Sequence, residues 1–240
     1  MNDLNTITKE SRQEWEKGIS GMFQEIAESY EKINTFISLG MDQSWRKAQL
    51  KRLDQYMQDA PVLDIGCGPG SLSALAEKVL PQAKFLSTDI TWGFLEIAAN
   101  SGNADVLAQV SASDLPFKNN SFSAVVSAFV LRNLPDLKRF YRECYRTLKK
   151  DGIICMLDLT TPPFKPISFF HSLYMKMALP LGAKIYGSKT EAYKYLDRSI
   201  KNCYTPDEMN KILEECGFKI LHTDRKCMGT VTIYTAQVIK

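Results

Sequence analysis

The chain has 240 residues, 45% of them hydrophobic and 24% charged, with a formal net charge of +3. That length suits one α/β domain with a substantial core, and so small a charge imbalance argues against a nucleic-acid partner. The opening MNDLNTITKESRQ has no apolar core, and no run of about eighteen apolar residues follows, so secretion and a transmembrane helix are not expected and the expected location is cytoplasmic.

In chain order, residues 12–57 read as helices, with Phe23, Ile26, Ala27, Tyr30, Ile33 and Phe36 at helical spacing. Gly40 ends that pattern, and a second helix begins near Ser44, with Trp45, Leu53, Tyr56 and Met57 to bury. From Pro61 strands and helices alternate. PVLDIGCGPG is a strand entering a glycine turn, SLSALAEKVL a helix, AKFLSTDI a strand, GFLEIAANSG a helix, ADVLAQVSA the third strand and SFSAVVSAFVL the fourth. LPDLKRFYRECYRTLKKDG is a helix with Leu137, Phe140, Tyr141, Cys144, Tyr145 and Leu148 on one face, its basic residues being a solvated face. GIICMLDL is the fifth strand. Residues 162–190 interrupt the alternation. TPDEMNKILEECGF is then a helix with Thr205 as N-cap, Pro206 at N1 and Glu208 at N3. KILHTDRKCM and TVTIYTAQVI close the chain as an antiparallel hairpin at a sheet edge. Such alternation predicts βαβ units and a mostly parallel sheet with helices on both faces.

The six cysteines, at 67, 144, 155, 203, 216 and 227, form no CxxC pair, and only His171 and His222 could join them. This spacing favours reduced thiols over a metal site, so no metal is expected.

LDIGCGPGS carries the first chemistry. Asp64 ends a strand, and Gly66, Gly68 and Gly70 follow before a helix. Glycine lets the backbone turn sharply and approach a ligand. Asp89, at the end of the next strand, is placed to accept hydrogen bonds from ribose hydroxyls. Dinucleotide enzymes set the third glycine one residue deeper, whereas Ser71 and Leu72 follow Gly70 here, so the spacing suits a ligand without a pyrophosphate. A glycine turn with no ligand is the bland alternative. LTTPPF at 159–164 looks like the N/D-P-P-Y/F signature of nucleic-acid amino-methyltransferases, but it follows the fifth strand rather than the fourth.

These features resemble the class I S-adenosylmethionine-dependent methyltransferases. The resemblance implies a Rossmann-like, seven-stranded mostly parallel sheet, with 12–57 as a helical cap, 58–160 as the donor-binding core, 162–190 as a lid insertion and 205–240 as a C-terminal helix and hairpin. It implies a donor site at Asp64, Gly66, Gly68, Gly70, Ser73, Asp89, Ile90 and Ala128, with Ser111 and Ala112 reading the adenine edge and Phe117 supporting the ring region. Asp114 reads better as a turn residue.

Longer stretches resemble the ubiquinone/menaquinone biosynthesis C-methyltransferases, the UbiE/MenG type. MFQEIAESYEKIN with SLGMDQSWRK, DLPFKNNSFSAVVSAFVLRNLPD and YRECYRTLKKDGIICMLDLTTP carry the likeness. It implies transfer of a methyl group from S-adenosylmethionine to a ring carbon of a prenylated quinol, with Arg132 stabilising charge on the ring oxygen and Asn133 and Tyr30 ordering the ring or a water. For Arg132 the competing reading is an ion pair with a nearby Asp; for Tyr30, a helical core aromatic. The segment 164–187, aromatic and punctuated by lysines, is expected to cover the pocket, admit a polyprenyl tail and touch the membrane surface peripherally. Ala128, Val130, Glu31, Asp158 and the tail GTVTIYTAQ depart from the family pattern, and Ala128 and Val130, expected beside the donor and the ring, bear on which ring is accepted. Two other functions compete: a class I methyltransferase with another small hydrophobic acceptor, and a non-catalytic S-adenosylmethionine-binding scaffold. The sequence leaves the oligomeric state open.

Overall fold

The structure, a computed structural model, describes residues 8–162, 164–186, 195, 199 and 203–240, without the side chain of Lys165. The far end of the expected lid insertion, at 187–190, lies outside the described residues, as does most of AYKYLDRSI.

Helices α1 (Lys9–Ile37) and α2 (Met41–Asp54) precede β1 (Val62–Ile65), α3 (Ser71–Val79), β2 (Phe85–Asp89), α4 (Trp92–Asn100), β3 (Leu107–Gln109) and β4 (Phe122–Ala128). A 3₁₀ turn (Leu131–Asn133), α5 (Leu137–Thr147), β5 (Leu148–Leu159), α6 (Lys165–Ile185), α7 (Pro206–Glu215), β6 (Phe218–Lys226) and β7 (Val231–Val238) follow. The strands form one sheet in the order β3-β2-β1-β4-β5-β7-β6. All pairings are parallel up to β5, and β7 runs antiparallel to both β5 and β6.

The two-residue period of a strand divides the core between the faces. Leu63, Val125, Ile154 and Met156 pack beneath Phe140, Tyr141, Met209 and Leu213 of α5 and α7. Their alternates Val62, Ala124, Ile153 and Cys155 pack on the opposite face against Leu50, Leu53, Leu72 and Ala76 of α2 and α3. A sheet covered on both faces requires apolar residues at consecutive strand positions, which is why β1 and the 153–157 stretch of β5 read as nearly unbroken apolar runs. Gln49 fastens α2 to the sheet by donating to the carbonyls of Ser127 (2.9 Å) and Cys155 (2.6 Å).

The α7 start is as the sequence reads: the Thr205 hydroxyl accepts from the Glu208 amide and the Glu208 carboxylate accepts from the Thr205 amide. Several boundaries differ, among them the start of α2, which is Met41 rather than near Ser44. Strand β4 ends at Ala128, because Phe129 takes a left-handed conformation (φ 65°) that breaks the ladder; an apolar run carries no signal for such a turn. Leu148, read as helical, is the first residue of β5 and pairs with Phe122, since a buried leucine suits either element. Strand β3 shrinks to Leu107–Gln109.

Candidate active site

The strand order reverses between β1 and β4, and a cleft opens beyond their carboxyl ends, where open α/β sheets bind ligands. Its floor is the turn after β1. Gly66 has φ +69°, and a Cβ there would lie 2.3 Å from a Val130 methyl, so only glycine fits. A Cβ on Gly68 (φ +57°) would meet nothing within 4 Å, so the backbone is bare toward the cleft it lines. The amides of Gly66 and Cys67 both donate to the Thr88 carbonyl, at 2.7 and 2.9 Å, and tie the turn to β2.

Asp89 ends β2 and is buried at the cleft. One carboxylate oxygen accepts from the Gly68 amide at 2.9 Å and the other from the Thr91 amide at 2.8 Å. Half the lone pairs of the carboxylate are left for a ligand. Burial pushes its pKa up, and the amide bonds from Thr91 and Gly68 oppose that shift. Behind the turn, Asp64 accepts from the Ser73 hydroxyl at 3.0 Å, and Ser73 shares a 2.7 Å bond with Ser87. The other Asp64 oxygen is buried without a partner among the described residues, and burial lifts this carboxyl to about 7.

The cleft encloses about 860 Å³, part of it open to solvent. Helix α1 crosses its mouth. Trp15 donates to the Asn133 carbonyl (3.0 Å), Ser20 to the Ile90 carbonyl (3.3 Å), and Gln24 accepts from the Gly93 amide (2.7 Å). Tyr30 stacks in a cluster with Phe94 and Phe23, at centroid distances of 5.0 and 5.5 Å. The charged side chains on the walls are Glu16, Glu31, Asp89 and Arg46.

A second cavity of about 520 Å³, part of it open to solvent, adjoins the first, and Phe129 lines both. Trp45, Met175 and His171 wall it together with Arg132. Burial lowers the pKa of His171. An outer groove shares Ile37, Trp45 and His171 with this cavity and runs on to Met41, Phe170 and Met228.

The sequence-named residues therefore separate. Gly66, Gly68, Asp89, Ile90, Ala112, Ala128, Tyr30 and Asn133 meet at the first cleft. Asp64, Gly70, Ser73 and Ser111 do not line it. Ser111 instead donates to Glu16 at 2.8 Å, which ties α1 to the loop after β3. Phe117 packs edge-on against Phe122 in the core, at 5.2 Å, away from the cleft. Asp114 pairs with Arg139.

Arg132 lines the second cavity. Its Nη1 donates to Asp158 at 2.8 Å and to the Phe129 carbonyl at 2.7 Å, with both charged side chains about 95% buried or more. The ion pair foreseen as the competing reading is present, and the arginine also faces a cavity. Burial opposes its charge, but Asp158 holds the guanidinium pKa above its ordinary value. Its Nε is buried without a partner among the described residues. Asn133 accepts from the Tyr195 hydroxyl at 3.1 Å.

Sequence reasoning missed Arg46, Phe129, Glu16 and Trp15. The available signal for Arg46 was its place in SWRK beside a tryptophan expected to be buried. The left-handed turn that brings Phe129 to both cavities had none.

The chain matches the ubiE/COQ5 methyltransferase family over residues 7–238. It is 30% identical over 224 residues to the demethylmenaquinone methyltransferase of Bacteroides fragilis, covering 91% of each chain. The demethylmenaquinone methyltransferase of Thermotoga maritima is 32% identical over 200 residues, 83% of this chain and 87% of that one. The ubiquinone/menaquinone biosynthesis C-methyltransferase UbiE of Geotalea daltonii is 30% identical over 231 residues, 92% and 97% of the two. Among solved structures, a possible histamine N-methyltransferase of Thermotoga maritima superposes with a TM-score of 0.61 at 16% identity, covering 90% of this chain and 98% of that chain. That likeness shows the shared class I fold. The chain belongs to the ubiE/COQ5 methyltransferase family and is an S-adenosylmethionine-dependent methyltransferase.

Proposed function

We propose that this chain methylates a ring carbon of a prenylated quinol, a demethylmenaquinol or a related benzoquinol, in respiratory quinone biosynthesis. One observation carries the acceptor's place: an apolar cavity with a buried arginine adjoins the cleft at the strand ends and shares Phe129 with it.

The first cleft fits the donor. Gly68 presents bare backbone, Asp89 keeps free lone pairs where ribose hydroxyls would lie, and the acidic side chains suit a cation. Asp89, Gly66, Gly68, Ile90, Ala112 and Ala128 would hold the donor, while Asp64, Gly70, Ser73 and Ser111 shape the turn and loops from behind. When bound, the donor supplies an electrophilic methyl group on a sulfonium sulfur.

An aromatic carbon is a weak nucleophile until the neighbouring ring hydroxyl loses its proton. Arg132 supplies fixed positive charge beside that oxygen and stabilises the resulting oxyanion. It is not the base, because a guanidinium pKa exceeds about 12. Once the methyl is on the carbon, that carbon gives up its own hydrogen as a proton to restore the aromatic ring, the ring oxygen regains one, and the net proton leaves through water. Asn133 and Tyr30, on the first cleft, order the ring or that water. In this reading α1 and α2 form a cap over the core fold. Helix α6 is a lid whose outer groove takes the polyprenyl tail and whose exposed Phe169 and Phe170 rest on the membrane surface, without crossing it.

The test is a panel of prenylated naphthoquinols, prenylated benzoquinols and unprenylated phenols, incubated with methyl-labelled donor. Label on the carbon of a prenylated quinol is the expected result. Label only on another small acceptor would replace the acceptor reading, and donor binding without transfer to any acceptor would favour the scaffold.

A further inference from the structure

One wall of the first cleft comes from the N-terminal helices rather than the sheet, and it carries two opposite charges. Arg46 of α2 lines the cleft with a side chain 9% exposed. Its Nη1 is engaged by Asp42 at 2.7 Å, and Asp42 is itself held by the Ser38 hydroxyl at 3.0 Å. The centre of the Phe129 ring lies 5.2 Å from the Arg46 Cζ, within cation–π range. No acceptor among the described residues meets Nε or Nη2, and neither atom is sealed from solvent. The Nε–Nη2 edge is a fork that matches a carboxylate with two parallel hydrogen bonds. Asp42 meets the charge of this nine-tenths-buried arginine, but the donors of its Nε–Nη2 edge are left without an acceptor from the described residues.

Glu31 of α1 lines the same cleft. Its carboxylate makes no hydrogen bond among the described residues and is partly buried. Burial pushes its pKa up, and Arg46 pulls it back. Arg46 also acts electrostatically on Asp64, which lies behind the glycine turn. Arg132, with its Cζ 5.9 Å from the centre of the same ring, lines the second cavity and not this cleft.

We propose that Arg46 and Glu31 together read the α-amino-acid end of the methyl donor: the Nε–Nη2 edge of Arg46 takes its carboxylate, and Glu31 takes its ammonium. This rests on the donor reading of the cleft and adds how the methionine end is told from an uncharged thioether. Asp42 holds Nη1 from behind, which leaves the Nε–Nη2 edge of Arg46 to meet the carboxylate and Glu31 to meet the ammonium.

The experiment is calorimetric binding by the full chain of three ligands. These are S-adenosylhomocysteine, its decarboxylated analogue that keeps the amine, and 5′-methylthioadenosine, which lacks both charges. Wild-type protein should bind S-adenosylhomocysteine at least about tenfold tighter than the decarboxylated analogue, the scale of a hydrogen-bonded charge pair. Arg46→Met should weaken S-adenosylhomocysteine by about ten- to a hundredfold and leave the decarboxylated analogue within about threefold. Glu31→Gln should weaken both amine-bearing ligands and spare 5′-methylthioadenosine. Because Arg46→Met strands a buried Asp42, Arg46→Met with Asp42→Asn serves as the second variant. Equal wild-type affinity for the parent and its decarboxylated analogue overturns the proposal whatever the variants do. So does an Arg46 variant that weakens 5′-methylthioadenosine as much as S-adenosylhomocysteine. A wild type that binds none of the three overturns the donor reading itself, and the proposal with it.

Discussion

Asp64, Asp89 and Arg132 are three buried charges with different support, and each predicts a different outcome. Asp64 has one oxygen on Ser73 and one without a described partner, and burial raises its carboxyl to about 7. The folded chain thus binds that proton more tightly than the unfolded chain, whose carboxyl lies near 3.8. Folding loses stability as pH rises from the unfolded value toward the folded one, and levels off above it. Asp64→Asn cannot ionise, so its stability relative to wild type should climb between about pH 4 and 7. Denaturant unfolding at pH 5 and pH 8 checks this; a relative stability that falls with pH would sink it. Asp89→Ala should weaken donor binding by about 1.5–3 kcal/mol, the worth of a hydrogen bond to a charged group, and unchanged affinity by calorimetry would refute the ribose role. Arg132→Ala should lower turnover by about a hundredfold or more while donor affinity hardly moves, since Arg132 does not line the donor cleft. It should also cost about 3–5 kcal/mol of stability by stranding Asp158. Arg132→Met with Asp158→Asn should recover folding without recovering turnover. Normal turnover in that pair would remove Arg132 from the chemistry. The Arg-Asn after the fourth strand was legible as a site because a cation at the end of a core strand needs a reason. Its partner Asp158 was visible only as a departure in LDL, since the pairing spans 26 residues and two strands.

At the level of elements, α6 carries the next prediction. Phe169, Phe170 and Met177 are 66%, 67% and 69% exposed, an apolar surface beside the outer groove. Phe169→Ser with Phe170→Ser should reduce co-sedimentation with anionic liposomes and leave donor affinity unchanged; equal co-sedimentation of wild type and variant would mean that α6 makes no membrane contact. The sequence marked this segment at 164–187 by its aromatic residues and lysines, and α6 spans Lys165–Ile185 within it. The α7 capping box was readable to the residue, because Thr205, Pro206 and Glu208 each satisfy a local requirement of a helix start. The end of β4 was not. Phe129 is apolar like its neighbours, and nothing local announces φ 65°. What holds it there is distant: its amide donates to the Leu157 carbonyl at 2.7 Å, and its carbonyl accepts from Arg132.

At the scale of the molecule, the alternation of strands and helices, the glycine turn, the acid ending β2 and the hairpin at the end of the chain followed from the sequence alone. Each is written in residues close together in the chain: a two- or 3.6-residue period, a run of glycines, a cap. The parallel sheet then followed, because apolar strands joined by helices have few other ways to bury both faces. Only the tertiary structure decided which residues share a wall. It laid α1 across the cleft through Trp15, Ser20 and Gln24, put Arg46 with Glu31 on the first cleft and Arg132, paired with Asp158, on the second cavity, and left Ser73 and Ser111 off the cleft wall. The physical reason is that sequence patterns fix which face of an element is buried. Where a long polar side chain ends is set by charge pairing and packing among elements far apart in the chain, which no local pattern records.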